Sequence, residues 1–286
     1  SFSVLSNPEF LAEGTAINDL ENPDRVLIGG EDPQAIETLA DIYKNWVDDK
    51  KIIRTNLWSS ELSKLTANAF LAQRITSINS VAAICEATGA DVNEVSRAIG
   101  TDTRIGNKFL KSGPGFGGSC FKKDILNLVY LCRFFGLEDI ANYWESVVHL
   151  NYWNQNRITE IVVNKLFGTL AEKKIVLLGF AFKANTNDTR ESSAITIAKN
   201  LLIEGAHLKI HDPQVSEQQI SIELEKVFNN EVNKSFETKF SEMSYQKVDN
   251  IYDAFREADA IVVVTEWEEY FELDWEKISG LMRHPA

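Results

Sequence analysis

Three cysteines are spread over 286 residues, too few and too scattered for a disulfide framework, so a reducing compartment fits best. Histidine is scarce as well: the chain has four, none at the spacing of a metal-ligand set. No uninterrupted apolar run approaches the ~18 residues of a membrane span. Positive charge is in deficit, 29 Lys and Arg against 42 Asp and Glu, for a formal charge of -13. That balance argues against a nucleic-acid or anionic-membrane surface, although a local basic pocket can still hold a phosphate. No G-x-G-x-x-G follows a strand, so the usual dinucleotide fingerprint is missing. The opening residues carry no signal-peptide pattern, and a soluble cytoplasmic protein is the expectation.

What remains is ordinary globular composition, 44% hydrophobic and 25% charged, with enough chain for two domains with cores. Its focal stretch is Phe109-Leu110-Lys111-Ser112-Gly113-Pro114-Gly115-Phe116-Gly117-Gly118-Ser119-Cys120-Phe121-Lys122-Lys123-Asp124. An apolar run beginning at Ile125 follows it, which predicts an irregular loop feeding a helix, with Ser119 or Cys120 near the cap. The glycines leave room for a ligand against bare backbone. Free amides, the helix dipole, Lys122 and Lys123 favour a thiolate at Cys120, and Asp124 lies one turn in. A lone cysteine after a glycine-rich turn is, on residues alone, more often a small core residue than a nucleophile. Cys85 and Cys132 lie in apolar runs and read as core.

The rest of the chain reads as alternating strands and helices. Strands are expected at Phe2–Leu5, Arg25–Ile28 and Lys51–Thr55, with a helix from Pro33 to Val47 between the last two. From Ser59 to Ala87 apolar residues recur at three- and four-residue steps, a long helix that places Lys64 and Asn68 on one face. A helix from Val92 to Ile99 precedes a loop with Arg104, and two more are expected at 137–150 and 154–167. Lys174–Phe182 is a buried-strand run. A loop with Lys183 and Arg190, a helix to Glu204 and a strand at His207–Ile210, ending at Asp212-Pro213, complete a βαβ unit. Residues 214–247 form a polar, poorly periodic excursion, expected to contain a helix and a mobile part. A helix at 252–257 and a strand at Ala260–Val264 follow. On residues alone Lys64, Asn68 and Arg104 are more often solvated surface residues than ligand contacts, and Lys183 and Arg190 are as readily one as the other.

Five motifs in order carry a resemblance. They are Ser6-Asn7-Pro8-Glu9-Phe10-Leu11-Ala12-Glu13-Gly14, Glu61-Leu62-Ser63-Lys64-Leu65-Thr66-Ala67-Asn68-Ala69, Arg104-Ile105-Gly106, Gly115-Phe116-Gly117-Gly118-Ser119-Cys120-Phe121 with Lys123-Asp124, and Gly179-Phe180-Ala181-Phe182-Lys183. Together they resemble the animal-type UDP-glucose dehydrogenases of the UDP-glucose/GDP-mannose dehydrogenase family. The resemblance implies an α/β fold in three parts: the remainder of an N-terminal Rossmann-like NAD-binding domain (1–56), a central helical dimerisation domain with a long spine helix and the cysteine loop (57–168), and a C-terminal Rossmann-like UDP-sugar domain (169–286). In the family the dinucleotide fingerprint lies upstream and an arginine-bearing substrate segment downstream, so the chain is expected to be a truncated enzyme, inactive by itself.

The resemblance also assigns roles. It implies NAD-dependent, four-electron oxidation of UDP-glucose to UDP-glucuronate through a Cys120 thiohemiacetal and thioester. Lys64 and Asp124 serve proton and charge in the first oxidation, Glu9 or Asp124 helps water cleave the thioester, and Asn68 holds substrate and water. Phe10, Leu11, Arg104, Lys111, Gly115, Phe116, Gly117, Phe182 and Lys183 contact the sugar nucleotide, Arg104 from a neighbouring subunit. Glu13, Cys120, Lys123 and Arg190 lie at the cofactor. A homodimer, or a hexamer of three dimers, follows. Two rivals stay open: a related dehydrogenase of GDP-mannose or a UDP-amino sugar, and a non-catalytic sugar-nucleotide-binding or assembly subunit.

Overall fold

The computed structural model describes residues 2–229 and 244–283. The chain divides into two units, residues 1–71 with 123–145, and residues 72–122 with 146–286. The first unit is built on a three-stranded sheet, β1 (Leu5–Ser6), β2 (Val26–Gly30) and β3 (Ile52–Thr55), in the order β1-β2-β3. β2 runs parallel to β3, pairing Val26 with Ile52, and antiparallel to β1. All five residues of β2 are buried, as a strand covered on both faces requires. Its apolar side meets Ile36 and Ala40 of helix α2 (Pro33–Tyr43), which the Asp32 carboxylate caps at the Gln34 amide. The first strand is shorter than its apolar run suggested, because Phe2 and Val4 stay exposed and only Leu5–Ser6 finds a partner. A short helix, α1 (Ala16–Glu21), was not legible in the sequence.

Helix α3 (Leu57–Thr88) opens in the first unit and closes in the second; α4 (Val92–Gly100) and α5 (Phe121–Phe134) follow. Two helices were expected between 137 and 167, but one continuous helix, α6 (Glu138–Lys165), occupies the stretch. The residues 151–153 left between the two expected helices are helical, and Asn151 and Asn154 point side-chain amides at a neighbouring loop.

The second unit carries a four-stranded, all-parallel sheet of β4 (Lys174–Leu178), β5 (His207–His211), β6 (Tyr245–Lys247) and β7 (Ala260–Val263), in the order β6-β5-β4-β7. The apolar run after Lys174 is only partly strand. Gly179, at φ 91°, ends β4, and Phe180 and Ala181 continue as buried loop. Helices α7 (Ser193–Ile203) and α8 (Glu217–Asn229) close the core, with Ile175, Leu177, Ile197, Leu201, Ile210 and Phe255 fully buried. The excursion at 214–247 thus contributes α8 and β6, and the part expected to be mobile lies outside the described residues. Because β5 and β7 flank β4 on opposite sides, the connections diverge above the carboxyl ends of β4 and β7, the switch point where open α/β sheets collect ligands.

Candidate active site

The glycine loop of the second unit is irregular from Leu110 to Gly118, and α5 begins at Phe121, directly after Cys120. Cys120 is exposed, whereas Cys85 and Cys132 are buried. The loop keeps its shape through buried amide side chains. Asn79 accepts from the Gly113 amide at 2.9 Å, and Asn154 donates to the Gly113 carbonyl at 2.9 Å. Asn151 does both for Phe116, accepting at 2.9 Å and donating at 3.0 Å. The expectation that the glycines clear space for a ligand holds only in part. A Cβ on Gly117 would stand 2.5 Å from the Glu191 carbonyl, and one on Gly118, whose φ is 83°, would stand 2.9 Å from the Phe182 ring. These glycines let the loop dock on its own chain; only at Gly113 does the space stay open.

A cavity of about 330 Å³ lies at the switch point. Its walls come from Lys111, Gly113 and Gly115 of the glycine loop, Phe182 and Lys183 after β4, Ser193 of α7 and Glu266 after β7. Lys111 pairs with Glu266 at 2.7 Å, and Lys183 lies 5.6 Å from the Phe182 ring. The Phe116 side chain is buried edge-on against Phe121. Arg190 is turned onto Asp188, 2.7 Å away, and Arg104 onto Asp102, 2.6 Å away, with its side chain 88% exposed.

Several organising residues escaped the sequence reading. Buried Asp212 accepts from the amides of Phe180, Ala181, Gln214 and Val215 and from the Trp267 indole, and so knits together the loops that follow β4, β5 and β7. Arg74 of α3 donates to the carbonyls of Lys108, Ile105 and Gly106, fixing the turn that carries Arg104. The strand-ending Asp212-Pro213 pair was the only available signal for the first; nothing in local spacing marked the second.

In the first unit the loop after β1 presents Glu9, whose carboxylate accepts from the Leu11 amide at 2.8 Å and lies 3.6 Å from the Lys64 ammonium. The Phe10 ring lies under the Arg25 guanidinium at 3.8 Å, with the Lys64 ammonium 5.5 Å from the same ring. Asn68 donates to Asp124 at 2.6 Å, both side chains buried, and the Lys123 ammonium is 3.9 Å from the same carboxylate. Lys64 and Asn68 thus use one face of α3 to meet two carboxylates. Leu11 and Glu13 are exposed, and Asp19 holds the loop by accepting from the Ala12 amide at 2.9 Å.

Three family models, read in chain order, account for most of the sequence. They describe the NAD-binding domain (residues 1–47), the central domain (58–153) and the UDP-binding domain (176–286) of the UDP-glucose/GDP-mannose dehydrogenases. The chain belongs to the UDP-glucose/GDP-mannose dehydrogenase family. Among curated members it is 55% identical to UDP-glucose 6-dehydrogenase of Gallus gallus over 99% of the chain and 57% of that protein. It is 52% identical to UDP-glucose 6-dehydrogenase 4 of Arabidopsis thaliana over 100% of the chain and 61% of that protein. The chain thus spans about three-fifths of the length of these relatives. Among solved structures, a UDP-glucose dehydrogenase from Pyrobaculum islandicum superposes with a TM-score of 0.81 at 32% identity, covering 96% of this chain and 58% of that one. The UDP-D-ManNAc dehydrogenase of Pyrococcus horikoshii gives 0.78 at 25% identity, covering 99% and 59%.

A family member of this kind implies a dinucleotide, and among the described residues no glycine pair at a strand end is open for its pyrophosphate. Among the described residues, the glycine pair that ends a strand, Gly29-Gly30 of β2, is closed: a Cβ on Gly29 would lie 2.4 Å from Ser60 and one on Gly30 2.4 Å from Leu5. The cavity beside the Glu9 loop is lined by Glu9, Asp19 and Asp24 with Arg25 as its one cation, a poor match for a second anion. Among the described residues no cluster of His, Cys, Asp and Glu is arranged to hold a metal ion, and no helix is long and apolar enough to cross a membrane.

Proposed function

We propose that the protein carrying this sequence oxidises UDP-glucose to UDP-glucuronate with NAD as oxidant, removing four electrons by way of a cysteine thioester. One observation carries the reading: the exposed Cys120 thiol stands at the start of α5, at the end of a loop that also walls a cation-bearing cavity at a switch point. That cavity suits a nucleoside diphosphate, with Lys111, Lys183 and the start of α7 for the phosphates and Gly115 and Phe182 in the wall, while Phe116 and Gly117, assigned to the same ligand, lie next to the wall and outside the lining. Relatives named for UDP-glucose at more than half identity support that substrate over GDP-mannose or a UDP-amino sugar.

NAD, when bound, supplies the hydride acceptor, and Glu13, Lys123 and Arg190 are the residues assigned to its edge. The chemistry assigned to the chain is nucleophilic and acid–base. Lys64 and a water held by Asp124 take up proton and charge as the C6 alcohol becomes an aldehyde. Cys120 adds to the aldehyde as a thiohemiacetal, and oxidation of that adduct leaves a thioester. Water, activated by Glu9 or Asp124, cleaves the thioester and returns the thiol. Asn68 fixes Asp124 and contacts the sugar alongside Phe10 and Leu11. The covalent bond keeps a reactive aldehyde from escaping between two oxidations.

The same reading divides the chain at 1–56, 57–168 and 169–286, places the protein in the cytoplasm and makes it a homo-oligomer in which Arg104 serves a neighbouring site. Exposed Trp58, Tyr130, Phe134 and Phe135 on the first unit support self-association. Product analysis with UDP-glucose and NAD tests the activity: two NADH per UDP-glucuronate are expected, and Cys120→Ser should stop acid release. Unchanged acid output from that variant, or preferential oxidation of GDP-mannose, overturns the assignment. A companion expectation is that this chain alone binds UDP-glucose weakly by calorimetry and produces essentially no NADH, and the closed Gly29-Gly30 end supports its second half.

A further inference from the structure

Lys122 stands two residues beyond Cys120, and its ammonium reaches the Glu191 carboxylate at 2.9 and 3.1 Å while lying 5.2 Å from the Tyr152 ring. Its side chain is 30% exposed. Burial opposes its charge, but hydrogen bonds to Tyr152 and Glu191 outweigh that and hold its pKa above the ordinary lysine range. Glu191 itself is in the left-handed region, φ 54°, which a residue with a side chain adopts only when its surroundings impose it. In that conformation its carbonyl lies against Gly117, and the preceding carbonyl, that of Arg190, accepts from the Gly118 amide at 2.8 Å. The backbone of the β4–α7 loop therefore grips the glycine loop ahead of Cys120, and the Glu191 side chain grips α5 just after it. The same β4–α7 loop supplies Phe182 and Lys183 to the cavity wall.

We propose that Glu191 is a positioning residue for Cys120, acting through its ion pair with Lys122, so that the loop meeting the nucleotide and the turn carrying the thiol move as one piece. The proposal rests on the reading that cavity and thiol belong to one sugar-nucleotide site. An ion pair between freely exposed side chains fixes little, and Glu191 is 44% exposed, but its partner is partly buried and the pair joins segments already docked by their backbones.

Cys120 is the exposed cysteine, so iodoacetamide labelling followed by peptide mass spectrometry reports on it. Glu191→Gln keeps the shape and removes the charge; Lys122→Met removes the other partner. Compared at a pH where the labelling rate no longer rises, so that the charge removed beside the thiol does not enter, each should label about threefold faster than the parent as the turn loosens, with the thermal midpoint shifted by no more than about 4 °C. The reversed pair, Lys122→Glu with Glu191→Lys, should bring the rate back to within about 1.5-fold of the parent, a rescue that a merely structural role for either side chain does not provide. Saturating UDP should alter labelling of the parent and lose that influence in Glu191→Gln. Unchanged labelling in both single variants, or a reversed pair that labels as fast as they do, overturns the proposal. If UDP fails to bind the parent, the sugar-nucleotide reading falls, and the ligand-free rates still decide the ion pair.

Discussion

The loop ahead of Cys120 and the loop that carries Glu9 are both short, proline-bearing segments proposed to meet substrate, yet they are held in opposite ways. In the first, buried Asn79, Asn151 and Asn154 take up the peptide groups of Gly113 and Phe116, and two glycines are docked without room for a Cβ. In the second, the ties are to side chains at the surface: Asp19 to the Ala12 amide, Glu9 to the Leu11 amide, and Arg25 over the Phe10 ring. A group that must be in place before the reaction begins, such as a nucleotide wall or a nucleophile, gains from the first kind of support. A carboxylate and an ammonium that trade protons across several steps tolerate the second, because small rearrangements there cost little.

The sharpest way to break this contrast is at Asp212, which holds the switch-point loops of the second unit. Asp212→Ala leaves four amides and an indole without their acceptor and should cost about 4 kcal/mol in urea unfolding. Next, Asn151→Ala strips both peptide groups of Phe116 and should cost about 2 kcal/mol, with UDP affinity by calorimetry down about tenfold. A change at Arg25 should be the mildest of the three. Arg25→Ala removes a stacked cation from a surface ring, for a loss of about 0.5–1 kcal/mol. If Arg25→Ala proves as costly as Asn151→Ala, the two loops do not differ as described.

A pH series sharpens the same contrast, with an effect in the second unit smaller than that of any core substitution. Burial lowers the pKa of His211, whose ring contacts the Tyr270 hydroxyl at 3.0 Å, against an opposing pull from Glu269. The unfolded chain therefore binds a proton that the folded ring resists. The stability from keeping His211 neutral is intact above about pH 6.5 and is lost as pH falls below it. Urea midpoints at pH 7.5 and pH 5 should show the second unit weakening at the lower value, by less in His211→Gln.

Much of this was legible in the sequence, and the remainder has physical causes. The glycine loop, the long helix and the βαβ run announced themselves by composition and period, and five ordered motifs pointed to the family. What escaped were partners far apart in the chain. The single helix α6 was expected as two, and nothing local in the sequence shows that Asn151 and Asn154 spend their polar atoms on another segment's backbone. Asp212 looked like a strand end, although its five donors come from three loops. The glycines suggested a bare cradle for ligand, yet Gly117 and Gly118 are filled by Glu191 and Phe182, which lie more than sixty residues away in sequence.

The central claim is covalent capture of an aldehyde by Cys120, and labelling competition tests it without any cofactor. UDP-glucose and its C6 aldehyde should both slow iodoacetamide labelling of Cys120, the aldehyde at concentrations about tenfold lower because it alone can form a thiohemiacetal. Equal protection by alcohol and aldehyde, or none by either, would contradict the account.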